Sequence, residues 1–180
     1  MTTYGLLLTL ILATMTTTDI LLEDFRKGDT LGWFIVNDDV MGGRSTSDME
    51  IAEDGIGRFY GEVSLENNGG FASVRAPLDT TLSESVSRFV IRVKGDGNRY
   101  DFRLRTSRTF DGVAYVASFD TEPGEWQAHT IELADFRAQY RGRVVDAPTL
   151  SADDVQQIGF LIADKQQGAF ELLIDWVKAG

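Results

Sequence analysis

Arg88-Phe89-Val90-Ile91-Arg92-Val93-Lys94-Gly95-Asp96-Gly97-Asn98-Arg99-Tyr100-Asp101-Phe102-Arg103-Leu104-Arg105 is the stretch that decides the fold. On either side of Gly95-Asp96-Gly97-Asn98 the apolar residues fall on every second position. Phe89, Ile91 and Val93 alternate with Arg88, Arg92 and Lys94, and Tyr100, Phe102 and Leu104 alternate with Asp101, Arg103 and Arg105. Successive side chains of a strand point to opposite faces, so each run buries one face and wets the other. The glycine-rich tetrapeptide predicts a hairpin joining residues 88–94 to residues 100–105, because glycine and asparagine accept tight-turn conformations.

The same period recurs at Phe59, Gly61, Val63 and Leu65, interleaved with Arg58, Tyr60, Glu62 and Ser64. Further strands are expected at residues 113–119, 126–133, 158–163 and 170–177, with shorter ones at 33–36 and 72–75. Asn68-Gly69 reads as a second hairpin turn and Pro123-Gly124 as a turn before Trp126. Helix is scarce. Ser151-Ala152-Asp153-Asp154 predicts one or two helical turns reaching about residue 157, with Ser151 as the cap. Many short strands between turn signals point to an all-β chain, a β-sandwich of the jelly-roll type, with residues 19–180 as its single domain.

A chain of 180 residues and 20.0 kDa is long enough to hide roughly 70% of its unfolded surface. It has no cysteine and one histidine, His129, which excludes disulfides and makes a zinc site implausible. Neither a metal nor a cofactor is expected. The formal charge of −11 repels phosphate backbones and anionic lipid surfaces, so nucleic acid is not an expected partner. Residues 6–13 form an apolar run too short to span a bilayer, and no Lys or Arg precedes Arg26. Residues 1–18 therefore read as a leader or a misassigned extension, the latter with the start at Met15 and the first fourteen residues wrongly included. The expected location is cytoplasmic, with export through residues 1–18 as the alternative.

Candidate site residues gather where strands end. Asn37, Asp38 and Asp39 precede Val40-Met41-Gly42-Gly43-Arg44-Ser45. The two aspartates have the chemistry of an acid–base pair or of calcium ligands, set against an Asx turn facing water. The glycine pair beside Arg44 has the character of an anion-holding nest of amides, set against a bulge or sharp bend. Glu66-Asn67-Asn68-Gly69-Gly70-Phe71 repeats the pattern. From residue 88 to 108, seven basic residues face two aspartates, a local charge of +5. On a hairpin, Arg92, Lys94, Arg103 and Arg105 would share one solvent-facing side. Such a stripe docks an acidic partner unless carboxylates such as Glu62 neutralise it internally. Trp33 and Trp126 open strands and are candidates for stacking on sugar rings, set against burial, the favoured reading. Trp176 extends the face of Phe170, Leu172 and Ile174 and so is expected in the core. His129 lacks a recognisable nucleophile partner and reads as a structural or surface histidine.

Together these residues are similar to the complex I intermediate-associated protein 30 family. The resemblance spans residues 22–177. It rests on Trp33 with Asn37-Asp38-Asp39-Val40-Met41-Gly42-Gly43-Arg44-Ser45, on Phe59-Tyr60-Gly61, and on Asn68-Gly69-Gly70-Phe71-Ala72-Ser73-Val74-Arg75. It continues through Val93-Lys94-Gly95-Asp96-Gly97-Asn98-Arg99-Tyr100, Trp126 and Asp135-Phe136, and ends on Ile158-Gly159-Phe160-Leu161-Ile162-Ala163-Asp164-Lys165-Gln166 and Gly168-Ala169-Phe170. The resemblance implies a galactose-binding-domain-like jelly roll. It also implies a chaperone-like role in assembling respiratory NADH:ubiquinone oxidoreductase, with related domains in bacteria and chloroplasts. It carries no catalytic residues over to this chain. The expectation is a non-enzymatic module with a protein partner, using Asn37, Asp38, Asp39, Arg44, Asn67, Asn68, Arg75, Arg92, Arg103 and Arg105. A carbohydrate or small-ligand binder is the alternative, and a hydrolase using Asp38, Asp39 or Glu66 is the weakest reading.

Overall fold

Every alternating run of the sequence becomes a strand. The computed structural model describes residues 19–26, 30–52 and 54–180, so the expectations for residues 1–18 lie outside the described residues. The strands are β1 (Ile20–Glu23), β2 (Phe34–Ile35), β3 (Thr46–Ile51), β4 (Gly57–Val63), β5 (Ala72–Pro77), β6 (Arg88–Lys94) and β7 (Arg99–Arg105). They continue with β8 (Ala114–Asp120), β9 (Trp126–Glu132), β10 (Arg137–Tyr140), β11 (Arg143–Val144), β12 (Gln157–Ile162) and β13 (Gly168–Ala179). The first sheet has the order β3-β4-β13-β6-β9, with β1 added to the far end of β13; the second has the order β11-β10-β8-β7-β12-β5-β2. Every pairing is antiparallel. The result is a jelly-roll sandwich.

The turn at residues 95–98 does not close a hairpin. β6 lies in the first sheet and β7 in the second, so Gly95-Asp96-Gly97-Asn98 carries the chain across the edge of the sandwich. It is held there by Thr121, whose hydroxyl donates to the Asn98 carbonyl at 2.8 Å and accepts from the Gly97 amide at 3.1 Å. Asn68-Gly69 is likewise a crossing, from β4 in the first sheet to β5 in the second, with Asn67 and Asn68 at φ 56° and 60°. Turn-forming residues reverse the chain, but which sheet the next strand joins depends on partners distant in sequence. The expected helix at Ser151 shrinks to one 3-10 turn, Ala152–Asp154. The Ser151 hydroxyl bonds the Asp153 side chain instead of capping, and Gln157 already begins β12.

The inner faces meet in an aromatic core. Phe102 of the second sheet lies 5.7 Å from Phe89 of the first and 5.4 Å from Phe160 beside it. Tyr100 is also buried, and its hydroxyl reaches Asp96 at 3.0 Å and the Glu171 carbonyl at 3.2 Å. Trp176 departs from expectation. The β13 register shifts between Ile174 and Trp176, so the inward set passes from Ile174 to Val177 and Ala179. Trp176 is thereby turned outward beneath the Lys178 ammonium, 4.2 Å from its ring centroid. A bulge inserts one residue and flips the parity that simple alternation extends.

Gly61 sits where β3 meets β4, and a Cβ there would overlap the Thr46 carbonyl and come within 2.7 Å of Ser47 Cα. The obstacle is backbone on a paired strand, which cannot swing aside. Gly61→Ala is expected to lower stability by about 1–3 kcal/mol, read as a lower midpoint in chemical denaturation.

Candidate functional site

Asp38, in a 3-10 turn spanning Asp38–Met41, is 1% exposed and forms the knot between two strand-end loops. Its carboxylate accepts from the Ser45 amide at 2.9 Å, the Ser45 hydroxyl at 2.5 Å, the Gly70 amide at 2.6 Å and the Phe71 amide at 3.2 Å. Burial raises its pKa, yet the hydrogen bonds from Ser45, Gly70 and Phe71 outweigh it and hold the group below the ordinary 3.8. The glycines follow from this. A Cβ on Gly43 would fall inside the Asp38 carboxyl group, and one on Gly69 would lie 2.6 Å from its Oδ2. The glycine pair forms no anion nest: the Gly42 and Gly43 amides donate to the Asp39 and Asp38 carbonyls, and of that stretch only the Ser45 amide reaches the carboxylate. Next to it, Asn37 Oδ1 accepts from the Ser47 hydroxyl at 2.7 Å and the Ser73 amide at 3.3 Å.

The other loop candidates stay in solvent. Asp39 is exposed and accepts from the Val40 amide at 3.0 Å, as an isolated turn carboxylate does. Arg44 and Glu66 pair at 3.2 Å, both about two-thirds exposed, while Asn67 and Asn68 are exposed turn residues. Among the described residues, no group of three or more His, Cys, Asp or Glu side chains is placed to hold a metal ion. Trp33 is packed between Phe25 and Phe160, with its indole N–H donating to Glu23 at 2.8 Å. His129 packs against Phe119, and burial lowers its pKa. Nearby Ser118 gives its hydroxyl hydrogen to Asp101 rather than to His129.

The expected basic stripe is split, because β6 and β7 belong to different sheets. Arg92 lies on the outer face of the first sheet, paired with Asp175 and stacked 4.9 Å from the Trp126 centroid; Lys94 is 5.3 Å from the same ring. Arg103 and Arg105 lie on the outer face of the second sheet, where Arg75 of β5 joins them. Arg75 and Arg103 stand opposite Gly159 of β12 on its two sides. With strands roughly 4.8 Å apart, their Cα atoms are about 10 Å from one another. A slot of about 10 Å³ lies at Gly159 between the three arginines. It opens beside a groove of about 420 Å³, lined also by Val40, Met41, Phe71, Phe110, Asp111 and Arg141.

Two of the three guanidiniums find carbonyls, and among the described residues none bonds a carboxylate. Arg75 donates to the Phe110 carbonyl at 2.9 Å and Arg105 to the Gly112 carbonyl at 3.0 Å, while the Arg103 Nε is buried without a hydrogen-bond partner among the described residues. Among the described residues none of the three forms an ion pair. Asp111 is taken by Arg141 at 2.7 Å and Tyr140 at 3.0 Å, and Asp101 by Ser118 at 2.5 Å. Burial first, then the charges of Arg105 and Arg103, push Arg75 down to about 9. Burial and Arg105 push Arg103 down to about 10. Both still carry their charge at neutral pH.

Arg75, Arg103 and Arg105 are thus the sequence candidates that the fold brings together. The apolar rim was missed, although Val40-Met41 and Phe110 stand out as apolar residues inside polar loops. Val40, Met41 and Phe110 are 53%, 54% and 59% exposed.

Against known sequences, the profile described as complex I intermediate-associated protein 30 matches residues 23–174. The chain belongs to that family. It is 28% identical, over 178 aligned positions, to complex I intermediate-associated protein 30, mitochondrial, of Drosophila melanogaster, covering 86% of this chain and 60% of that one. The Mus musculus protein of the same name is 28% identical over 175 positions, covering 85% and 53%. The chain thus spans little more than half the length of these relatives. Their names overturn the cytoplasmic expectation, since both are mitochondrial proteins. Net charge and the missing basic residues before Arg26 describe the chain's electrostatics, which do not decide its compartment. Among solved structures, a family 11 carbohydrate-binding module from Clostridium thermocellum, in complex with a β-1,3-1,4-mixed-linked tetrasaccharide, superposes with a TM-score of 0.66 at 17% identity. That alignment covers 89% of this chain and 94% of the module, and it establishes the shared jelly-roll fold.

Because the folded pKa of Asp38 is depressed, its contribution is fully present above 3.8 and is lost as pH falls through the folded value. Asp38→Asn, which turns an amide N–H₂ toward donors, is expected to cost about 1–3 kcal/mol at neutral pH. The gap from the wild type should close as denaturation is repeated at progressively lower pH below 3.8.

Proposed function

We propose that this chain is a non-enzymatic binding module that engages a protein complex during its assembly, the complex being respiratory NADH:ubiquinone oxidoreductase. Its relatives are named for association with intermediates of complex I, and their names specify no reaction. The observation that carries the reading is the groove on the second sheet, where exposed Val40, Met41 and Phe110 adjoin three arginines that form no ion pair among the described residues. Exposed apolar side chains around a polar-lined concavity are what a docking site offers and what a surface without a partner avoids.

A neutral glycan fits this groove less well. No tryptophan lines it: Trp33 is tied to Glu23, and Trp126 and Trp176 lie on the opposite sheet beneath basic side chains. A sugar would also leave the arginine charges unanswered.

The test is affinity purification of the tagged chain from its own organism, read by mass spectrometry. Subunits of complex I are expected to co-purify. Met41→Asp combined with Phe110→Asp should reduce their recovery about tenfold, the effect of losing ~1.4 kcal/mol of binding, and Trp126→Ala on the other face should leave it unchanged. Recovery of no complex I subunit from the wild-type chain would refute the reading.

A further inference from the structure

We propose that the groove takes an acidic segment of a partner protein chain, one carboxylate seated between Arg75, Arg103 and Arg105 at Gly159, with an apolar side chain of the same segment resting on Val40, Met41 and Phe110. This deepens the binding-module reading by naming the chemistry of the partner.

The contrast between the two outer faces is the first argument. On the first sheet Arg58 pairs with Glu171 at 2.6 Å, Arg88 with Asp19 at 2.8 Å, and Arg92 with Asp175. A chain with 28 acidic and 17 basic residues has carboxylates in surplus, yet among the described residues none forms an ion pair with Arg75, Arg103 or Arg105 on the second sheet. Like charges gathered in a half-buried groove repel, and a seated anion relieves that repulsion while giving the Arg103 Nε an acceptor.

Shape is the second argument. The slot at Gly159 has about the volume of one water-sized group, enough to admit a single oxygen between the three side chains. Gly159 keeps that position open, because its Cβ would lie 2.6 Å from the Val74 carbonyl and 3.4 Å from Arg75 Cγ. Beyond the slot, the groove of about 420 Å³ turns apolar toward Val40, Met41, Phe71 and Phe110.

Charge chooses among anions. Asp111 and Asp164 on the groove wall, and a net charge of −11, disfavour long polyanions such as nucleic acid and anionic membranes. Free phosphate would satisfy the arginines and leave the apolar rim unused. A peptide alternating apolar and acidic side chains satisfies both.

Isothermal titration of the full chain with three probes tests this: a short acetylated, amidated peptide alternating leucine and glutamate, the same peptide with glutamine for glutamate, and inorganic phosphate. The glutamate peptide is expected to bind at least about tenfold more tightly than the glutamine peptide, the difference one charge-assisted bond supplies. Arg103→Met, similar in length and uncharged, should lose this preference and melt at a higher temperature than the wild type. Equal binding of the two peptides by the wild type would overturn the proposal without needing any variant. So would Arg103→Met melting lower while retaining the preference, which makes Arg103 structural, or phosphate binding as tightly as the glutamate peptide, which makes the slot a free-anion site. Co-purified complex I subunits without peptide preference would remove this proposal and leave the assembly reading standing. Peptide preference without co-purified subunits would do the reverse.

Discussion

A single buried carboxylate organises the end of the sandwich from which the groove is built. Asp38 is closed off from water and would be costly there if unsatisfied. Four donors from Ser45, Gly70 and Phe71 surround it, so it ties the entry of β3 to the entry of β5 across the two sheets. The paired glycines are the steric counterpart: Gly43 and Gly69 are bare because the carboxylate occupies the space their side chains would need. Asn37 adds a second tie, from Ser47 of β3 to Ser73 of β5.

The groove inherits its geometry from that knot. Arg75 follows Ser73 by two residues on β5 and so shares its outward face, directly across Gly159 from Arg103. The 3-10 turn that begins at Asp38 also ends with Val40 and Met41, which form the apolar rim. The second wall comes from the loop between β7 and β8, whose carbonyls at Phe110 and Gly112 take hydrogen bonds from Arg75 and Arg105. Three cations, Arg105 buried and Arg75 and Arg103 half-buried, which form no ion pair among the described residues and feel only the more distant charges of Asp101 and Asp111, are a local violation of electrostatic economy. Such violations persist where a site has a use for them.

Much of the fold was legible because burial of one face leaves a period of two in the sequence. β4, β6 and β7 announce themselves in this way, whereas β12 is buried at every residue and does not alternate. The missed strands are β1, β3, β10 and β11, short or peripheral pieces of mixed polarity such as Thr46–Ile51, which alternates only between exposed and partly buried residues and so shows no apolar face. The hairpins expected at residues 95–98 and 68–69 failed for another reason: turn chemistry is local, whereas the choice of sheet is made by β13, β12 and the other long-range partners. Trp176 was misplaced because a bulge cannot be read from parity. Of the site, Arg103 and Arg105 were visible as outward positions and Arg75 as part of the family motif, but their convergence depends on β12 lying between β5 and β7. The duty of Asp38 was hidden as well, since its donors come from residues 7, 32 and 33 positions away.

If the Asp38 carboxylate is the knot, its titration must be felt by amides on both loops. The direct measurement is a residue-resolved NMR titration of the Asp38 side-chain carboxyl together with the backbone amides of Ser45 and Gly70. The carboxyl is expected to titrate below 3.8, with both amides shifting in concert and exchanging slowly with solvent above that pH. A carboxyl titrating at or above 3.8, beside Ser45 and Gly70 amides that exchange freely and ignore it, would contradict the account.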